Sequence, residues 1–160
     1  DTLMSNDTTR SVSITELSIG AQLAVFSLRQ WQIDRGERGA LKTVLSPFYR
    51  RLGVGEALNA FLTLMSQFDR YGDYPFVFNC PCQELLHENE RLFLDWLLTS
   101  GENNTLDGAL KKTAQIRNLA KPAAVTFSRI LSLGGFAIGL PPDAESASAV
   151  AQRATVTAYV

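Results

Sequence analysis

The sequence predicts an all-α fold, a single-domain bundle of about six helices, and three observations carry that prediction. Apolar residues recur at the three- and four-residue spacing of a buried helix face through most of the 160 residues. Glycine, proline and polar clusters punctuate those stretches at intervals that suit short helix–helix connections. The period-two alternation of half-buried strands is missing, and one short aromatic stretch near residues 74–79 has nothing to pair with.

Taken in order, residues 1–12 are rich in Thr, Ser, Asn and Asp, carry no periodicity, and read as a flexible N-terminal arm. Ser13 and Glu16 have the spacing of a capping box, so the first helix is expected to start there. Its inward row is Ile14, Leu17, Ala21, Ala24, Val25, Leu28 and Trp31, running to about Asp34, and Gly36 and Gly39 close it. The second helix carries Leu41, Val44, Leu45, Phe48 and Leu52. Pro47 falls inside it. Proline removes an N–H and its ring meets the preceding turn, so the helix either kinks or restarts with Ser46 as cap. Gly53 and Gly55 bracket a tight turn, and a third helix from about Glu56 to Arg70 buries Leu58, Phe61, Leu62, Met65 and Phe68.

The stretch from Tyr71 to Phe78 (YGDYPFVF) exchanges helix formers for aromatics, Val and Pro, and reads as a short extended crossing. A fourth helix carrying Leu85, Leu86, Leu92, Phe93, Trp96 and Leu97 is expected to end near Ser100. Thr105 suits the N-cap of a fifth, with Leu106, Ala109, Leu110, Thr113 and Ile116 inward. Lys121-Pro122 predicts a boundary, because the residue before a proline is pushed out of the helical region. The sixth helix then begins at Pro122 and stops at Gly134-Gly135. The helical domain spans residues 13–142, and 143–160 is an Ala/Ser/Thr-rich C-terminal tail.

Composition narrows the function classes. A content of 46 % hydrophobic residues supplies a core without help from a disulfide or a structural metal, so no cofactor is expected. Fifteen basic and sixteen acidic residues leave a net charge of −1, which gives no bulk signature of a nucleic-acid or membrane surface. No apolar run approaches the roughly 20 residues needed to span a bilayer. The first ten residues do not read as a signal peptide, and two cysteines one residue apart are a poor secreted framework, so the cytoplasm is the expected compartment.

The chemically unusual stretch is Asn79-Cys80-Pro81-Cys82, with His87 five residues on. Two thiolates and an imidazole are zinc-ligand types, so Cys80, Cys82 and His87 are the candidate metal ligands, with Glu84, Glu88 or Glu90 able to offer a fourth. Against zinc, structural sites space paired cysteines by two or more residues, because ligands one residue apart diverge. The same pair could instead be redox-active, since a ring closed across a single residue is strained and readily reduced. In the plainer alternative the cysteines are inert and Pro81 shapes the turn.

His87 is the one histidine in the chain, so any histidine acid–base chemistry runs through it. Its neighbours Glu88, Asn89, Glu90 and Arg91 read instead as the polar start of a helix, where carboxylates complement the dipole. No catalytic or cofactor-binding residue is assigned.

Arg50-Arg51-Leu52-Gly53-Val54-Gly55-Glu56 between two helices suggests a helix-turn-helix. A DNA-reading helix needs polar and basic side chains, and EALNAFLTLMSQF offers no cation before Arg70. Nucleic acid is therefore a third-ranked partner, behind a protein partner or a second copy of the chain. The favoured reading is a non-enzymatic interaction or regulatory module, with a metal-binding or thiol-redox protein as the alternative.

Arg29-Gln30-Trp31 at the end of the first helix, Phe68 on the third, Tyr74-Pro75-Phe76, and Cys80-Pro81-Cys82 before His87-Glu88-Asn89-Glu90 together resemble small bacterial all-helical proteins of unknown function. That resemblance covers roughly residues 14–140. It implies a bacterial helical protein and brings no activity with it.

Overall fold

The computed structural model describes residues 11–34, 38–71, 77–99 and 113–141, and these form five α-helices. They are α1 (Ile19–Ile33), α2 (Arg38–Arg51), α3 (Gly55–Tyr71), α4 (Glu88–Leu98) and α5 (Thr113–Leu133). The fold is all-α. Among the described residues there is no strand, and a single antiparallel bridge joins Ser13 to Leu85. The N-terminal residues 1–10, residues 72–76 of the crossing segment, Thr105 to Leu110 and the tail 143–160 lie outside the described residues.

Three expected boundaries are corrected. Ser13 does not cap the first long helix. It caps a 3-10 turn, Ile14–Glu16, and Leu17 behind that turn is extended. The cap of α1 is Ser18, whose Oγ accepts from the Ala21 N–H at 3.2 Å. The Ser13 hydroxyl donates to Glu84 Oε1 at 3.3 Å and accepts from the Thr15 N–H at 3.4 Å, so a contact distant in sequence helps draw it from the local box. The fourth helix starts at Glu88, with Leu85 and Leu86 lying ahead of it, because His87 and Glu90 form the capping box there. The break expected at Lys121-Pro122 is absent, and α5 passes through Pro122 as α2 passes through Pro47.

Both prolines share one physical reason. A proline cannot serve the carbonyl four residues back. Pro47 and Pro122, and the residues carrying those carbonyls, Thr43 and Asn118, all lie on the exposed side of their helices. Water reaches the carbonyl there, and the helix continues. On the same exposed turns the Ser46 hydroxyl donates to Lys42 O at 2.6 Å and the Thr126 hydroxyl to Pro122 O at 3.0 Å.

In the core, α3 lies along α5, α2 packs on α3, and α1 reaches both α2 and α4. Phe61 of α3 meets Phe127 of α5 with ring centroids 6.1 Å apart. A second aromatic cluster joins α3 to α4: Phe93 packs 5.4 Å from Phe68 and 5.7 Å from Trp96, and Phe78 closes it from the connecting segment at 6.1 Å. The edge-to-face angles of 80° and 84° at Phe93 are those favoured by ring quadrupoles. Val12, which the sequence places in the arm, is buried and belongs to this body.

Helices α2 and α5 end alike. Gly53 and Gly135 take positive φ of 71° and 88°. The next residue's N–H reaches back five positions, Val54 to Tyr49 O at 3.0 Å and Phe136 to Leu131 O at 2.7 Å. This is the Schellman closure, and it turns the chain sharply. After α5 the chain crosses the start of α1, burying Ile138 and Leu140. Gly139 N–H donates to Ser18 Oγ at 2.8 Å while Ser18 N–H donates to Gly139 O at 3.2 Å. Gly20 makes this approach possible, since a Cβ there would overlap the carbonyl of Phe136.

Candidate functional site

The segment from Val77 to His87 has no regular structure, yet it is held from both sides. Its anchor is an ion pair between Arg29 of α1 and Glu90 of α4, 1 % and 0 % exposed. The contact is two-pronged: Arg29 Nε donates to Glu90 Oε2 at 2.7 Å and Nη2 donates to Oε1 at 2.9 Å. The remaining capacity of both groups goes to backbone. Arg29 donates to Gln83 O at 2.7 Å and Leu85 O at 3.0 Å, while Glu90 accepts from Asn79 N–H at 3.1 Å and His87 N–H at 2.8 Å. A buried pair needs such extra bonds to offset the cost of leaving water.

Amide side chains extend the grip. The Gln32 amide of α1 pairs with both backbone groups of Phe78, accepting from its N–H at 2.7 Å and donating to its carbonyl at 3.0 Å. Asn79 Nδ2 donates to Leu85 O at 2.8 Å, and Asn89 Nδ2 donates to Val77 O at 3.1 Å.

Within this frame Cys80-Pro81-Cys82-Gln83 is a tight turn closed by the Gln83 N–H donating to Cys80 O at 3.0 Å. Pro81 sits at its second position, where its fixed φ suits the geometry. Both thiols are free and exposed. The neighbouring Cys82 thiol draws the Cys80 thiol below its ordinary range, and the Cys82 backbone N–H adds to that effect. The Cys80 side chain in turn pushes the Cys82 thiol upward.

His87 is engaged elsewhere. It is the N-cap of α4, with Nδ1 accepting from the Asn89 N–H at 3.0 Å and Glu90 completing the box. An accepting Nδ1 belongs to the neutral imidazole with its proton on Nε2. Among the described residues no three of His, Cys, Asp and Glu gather as a metal set, so Cys80, Cys82 and His87 are not brought together as one. Replacing His87 by alanine is expected to cost about 1 kcal/mol, or about 2–4 °C in melting temperature, while asparagine holds within about 0.5 kcal/mol. Thermal unfolding of the two variants checks this. Equal losses would show that the ring's Nδ1 plays no capping role.

Beside the turn, a groove of about 350 Å³ opens between α1 and α2. Ile14, Ile19, Phe26, Phe48, Leu52 and Pro81 make its apolar walls. Phe26 and Phe48 pack on each other at 4.8 Å, yet Phe48 is 46 % exposed and Ile19 55 %. The lining contains no acidic residue, and its two cations are Arg29, already matched by Glu90, and Arg51, which is exposed.

The helix-turn-helix reading finds α2 and α3 in sequence, but Leu58, Phe61, Leu64, Met65 and Phe68 of α3 are buried in the core. The exposed side of its first half offers Glu56, Asn59 and Thr63 and no cation. Sequence reasoning missed Arg29 as the keystone of the site. The signal was there: Arg29 continues the row Ala21, Val25 at four-residue spacing, which places a cation on a buried face.

No family model, curated protein or solved structure matches this chain.

Proposed function

We propose that this chain is a bacterial, cytoplasmic, non-enzymatic interaction module that receives an acidic amphipathic helix of a partner protein in the groove between α1 and α2. The observation that carries the reading is the groove itself: apolar walls, a half-exposed Phe48, and Arg51 as the one cation in the lining without a carboxylate beside it in the site. Apolar side chains at i, i+3 or i+4 and i+7 of a helix fit such a trough. An aspartate or glutamate on the flank of that helix meets Arg51, giving orientation more than affinity. No helix among the described residues is long and apolar enough to cross a membrane, which accords with a partner met in water.

The test places a photoreactive benzoylphenylalanine at position 48 of the full chain in cells, followed by mapping of the cross-linked peptide. The expected product is another protein, linked within a helical segment that has an apolar row and acidic flank, and reduced several-fold by Arg51→Glu. A link only to a second copy, a link unaffected by Arg51→Glu, or none at all overturns the reading.

A further inference from the structure

We propose that Cys80 and Cys82 form a thiol–disulfide exchange site for small disulfides of the glutathione class, with Cys80 as the attacking sulfur and Cys82 as the resolving one. The placement of the pair supports this independently of the groove. The two cysteines stand two positions apart in a four-residue turn closed at 3.0 Å, and both are open to solvent. An isolated turn of this size would sample many shapes. This one is pinned at each end by the same buried ion pair, through Glu90 to the Asn79 N–H in front of it and through Arg29 to the Gln83 carbonyl at its close. Exposed thiols on a fixed backbone combine access with a preset approach, and both are needed for one sulfur to displace a group from the other.

The roles follow from the surroundings. The Cys82 side chain and its backbone N–H draw the Cys80 thiol below its ordinary range while the Cys82 thiol is pushed up, which favours Cys80 as the thiolate. The Cys80 thiolate attacks one sulfur of the small disulfide, forming a mixed disulfide and releasing one small thiolate. Cys82 then loses its proton to water and attacks the Cys80 sulfur. The Cys80–Cys82 bond forms, the mixed disulfide breaks, and the second small thiolate leaves. Two electrons pass from the protein dithiol to the small disulfide, which ends as two thiols. A ring closed across one residue is strained, so the same small thiol at higher concentration returns the dithiol, and the exchange is reversible.

Intact-mass measurement during titration of the full chain with oxidised glutathione tests the site. The wild type is expected to lose two hydrogens and retain no glutathione. Cys82→Ser is expected to accumulate one glutathionyl group at residue 80, and to do so roughly tenfold faster than Cys80→Ser accumulates one at residue 82. Both side chains are exposed, so serine leaves the fold intact, and circular dichroism of each variant verifies that. A wild type that keeps glutathione, or single variants that react at equal rates, overturns the proposal.

Discussion

Replacing Arg29 by methionine is expected to lower the stability of the chain by about 3–5 kcal/mol, the usual cost of leaving one member of a buried ion pair without its partner. Methionine fills much of the space but leaves Glu90 charged in a fully buried position and strips a donor from the carbonyl of Gln83. Glu90→Gln is expected to cost a similar amount, because it leaves a guanidinium uncompensated and turns an amide donor toward N–H groups that need an acceptor. A domain of this size has about 5–15 kcal/mol in total, so either change removes a large part of it.

The double variant Arg29→Met, Glu90→Leu separates two accounts. In many proteins an apolar pair replaces a buried ion pair at no loss. Here Asn79, Gln83, Leu85 and His87 all bond the pair through their backbones, so the double variant is expected to stay well below the wild type. It is nonetheless expected to be about 1–3 kcal/mol better than the sum of the single losses. Urea unfolding of the four proteins measures all of this. Single losses under 1 kcal/mol that simply add would mean that the pair does not anchor the turn.

The second large effect is expected at Gly20. Alanine is the better helix former by about 1 kcal/mol, so propensity alone predicts a gain at this position inside α1. Sterics decide the opposite. The new methyl would meet the Phe136 carbonyl, which is backbone and cannot swing aside. To make room, the segment 136–140 must lift, loosening its two bonds to Ser18 and the burial of Ile138 and Leu140. A net loss of about 2–3 kcal/mol is expected, in the range of core overpacking. Gly55→Ala is the control: its Cβ meets nothing within 4 Å, and φ there is ordinary, so that change is expected to be neutral or mildly stabilising. Thermal melts that rank the two alanine variants the other way round would remove this account of the α1 crossing.

Much of the helical content was legible because amphipathic spacing reports burial directly. Leu58, Phe61, Met65 and Phe68 are inward on α3 as their spacing requires, and the two glycine stops at Gly53 and Gly135 are where the chain turns. The illegible parts share a cause. Proline rules concern one helix in isolation, and Pro47 and Pro122 escape them by lying on the wet side. Ser13 and Glu16 make a good local box, but the Ser13 hydroxyl is claimed by Glu84, distant in sequence. The candidate site was half visible. The Cys80-Pro81-Cys82 turn announces itself, while its support does not, because the Arg29–Glu90 pair joins residues far apart in the chain and neither is unusual alone.

That support gives the turn a dynamic character its surface position hides. Loops elsewhere fray by local unfolding, opening a few residues while the helices stay docked. Here opening Asn79–His87 would strip the buried Arg29–Glu90 pair of its four backbone partners. Opening the turn therefore costs more than opening a loop whose backbone bonds water alone. Its sulfurs meet solvent like those of a loop, and its backbone keeps the stiffness of the interior.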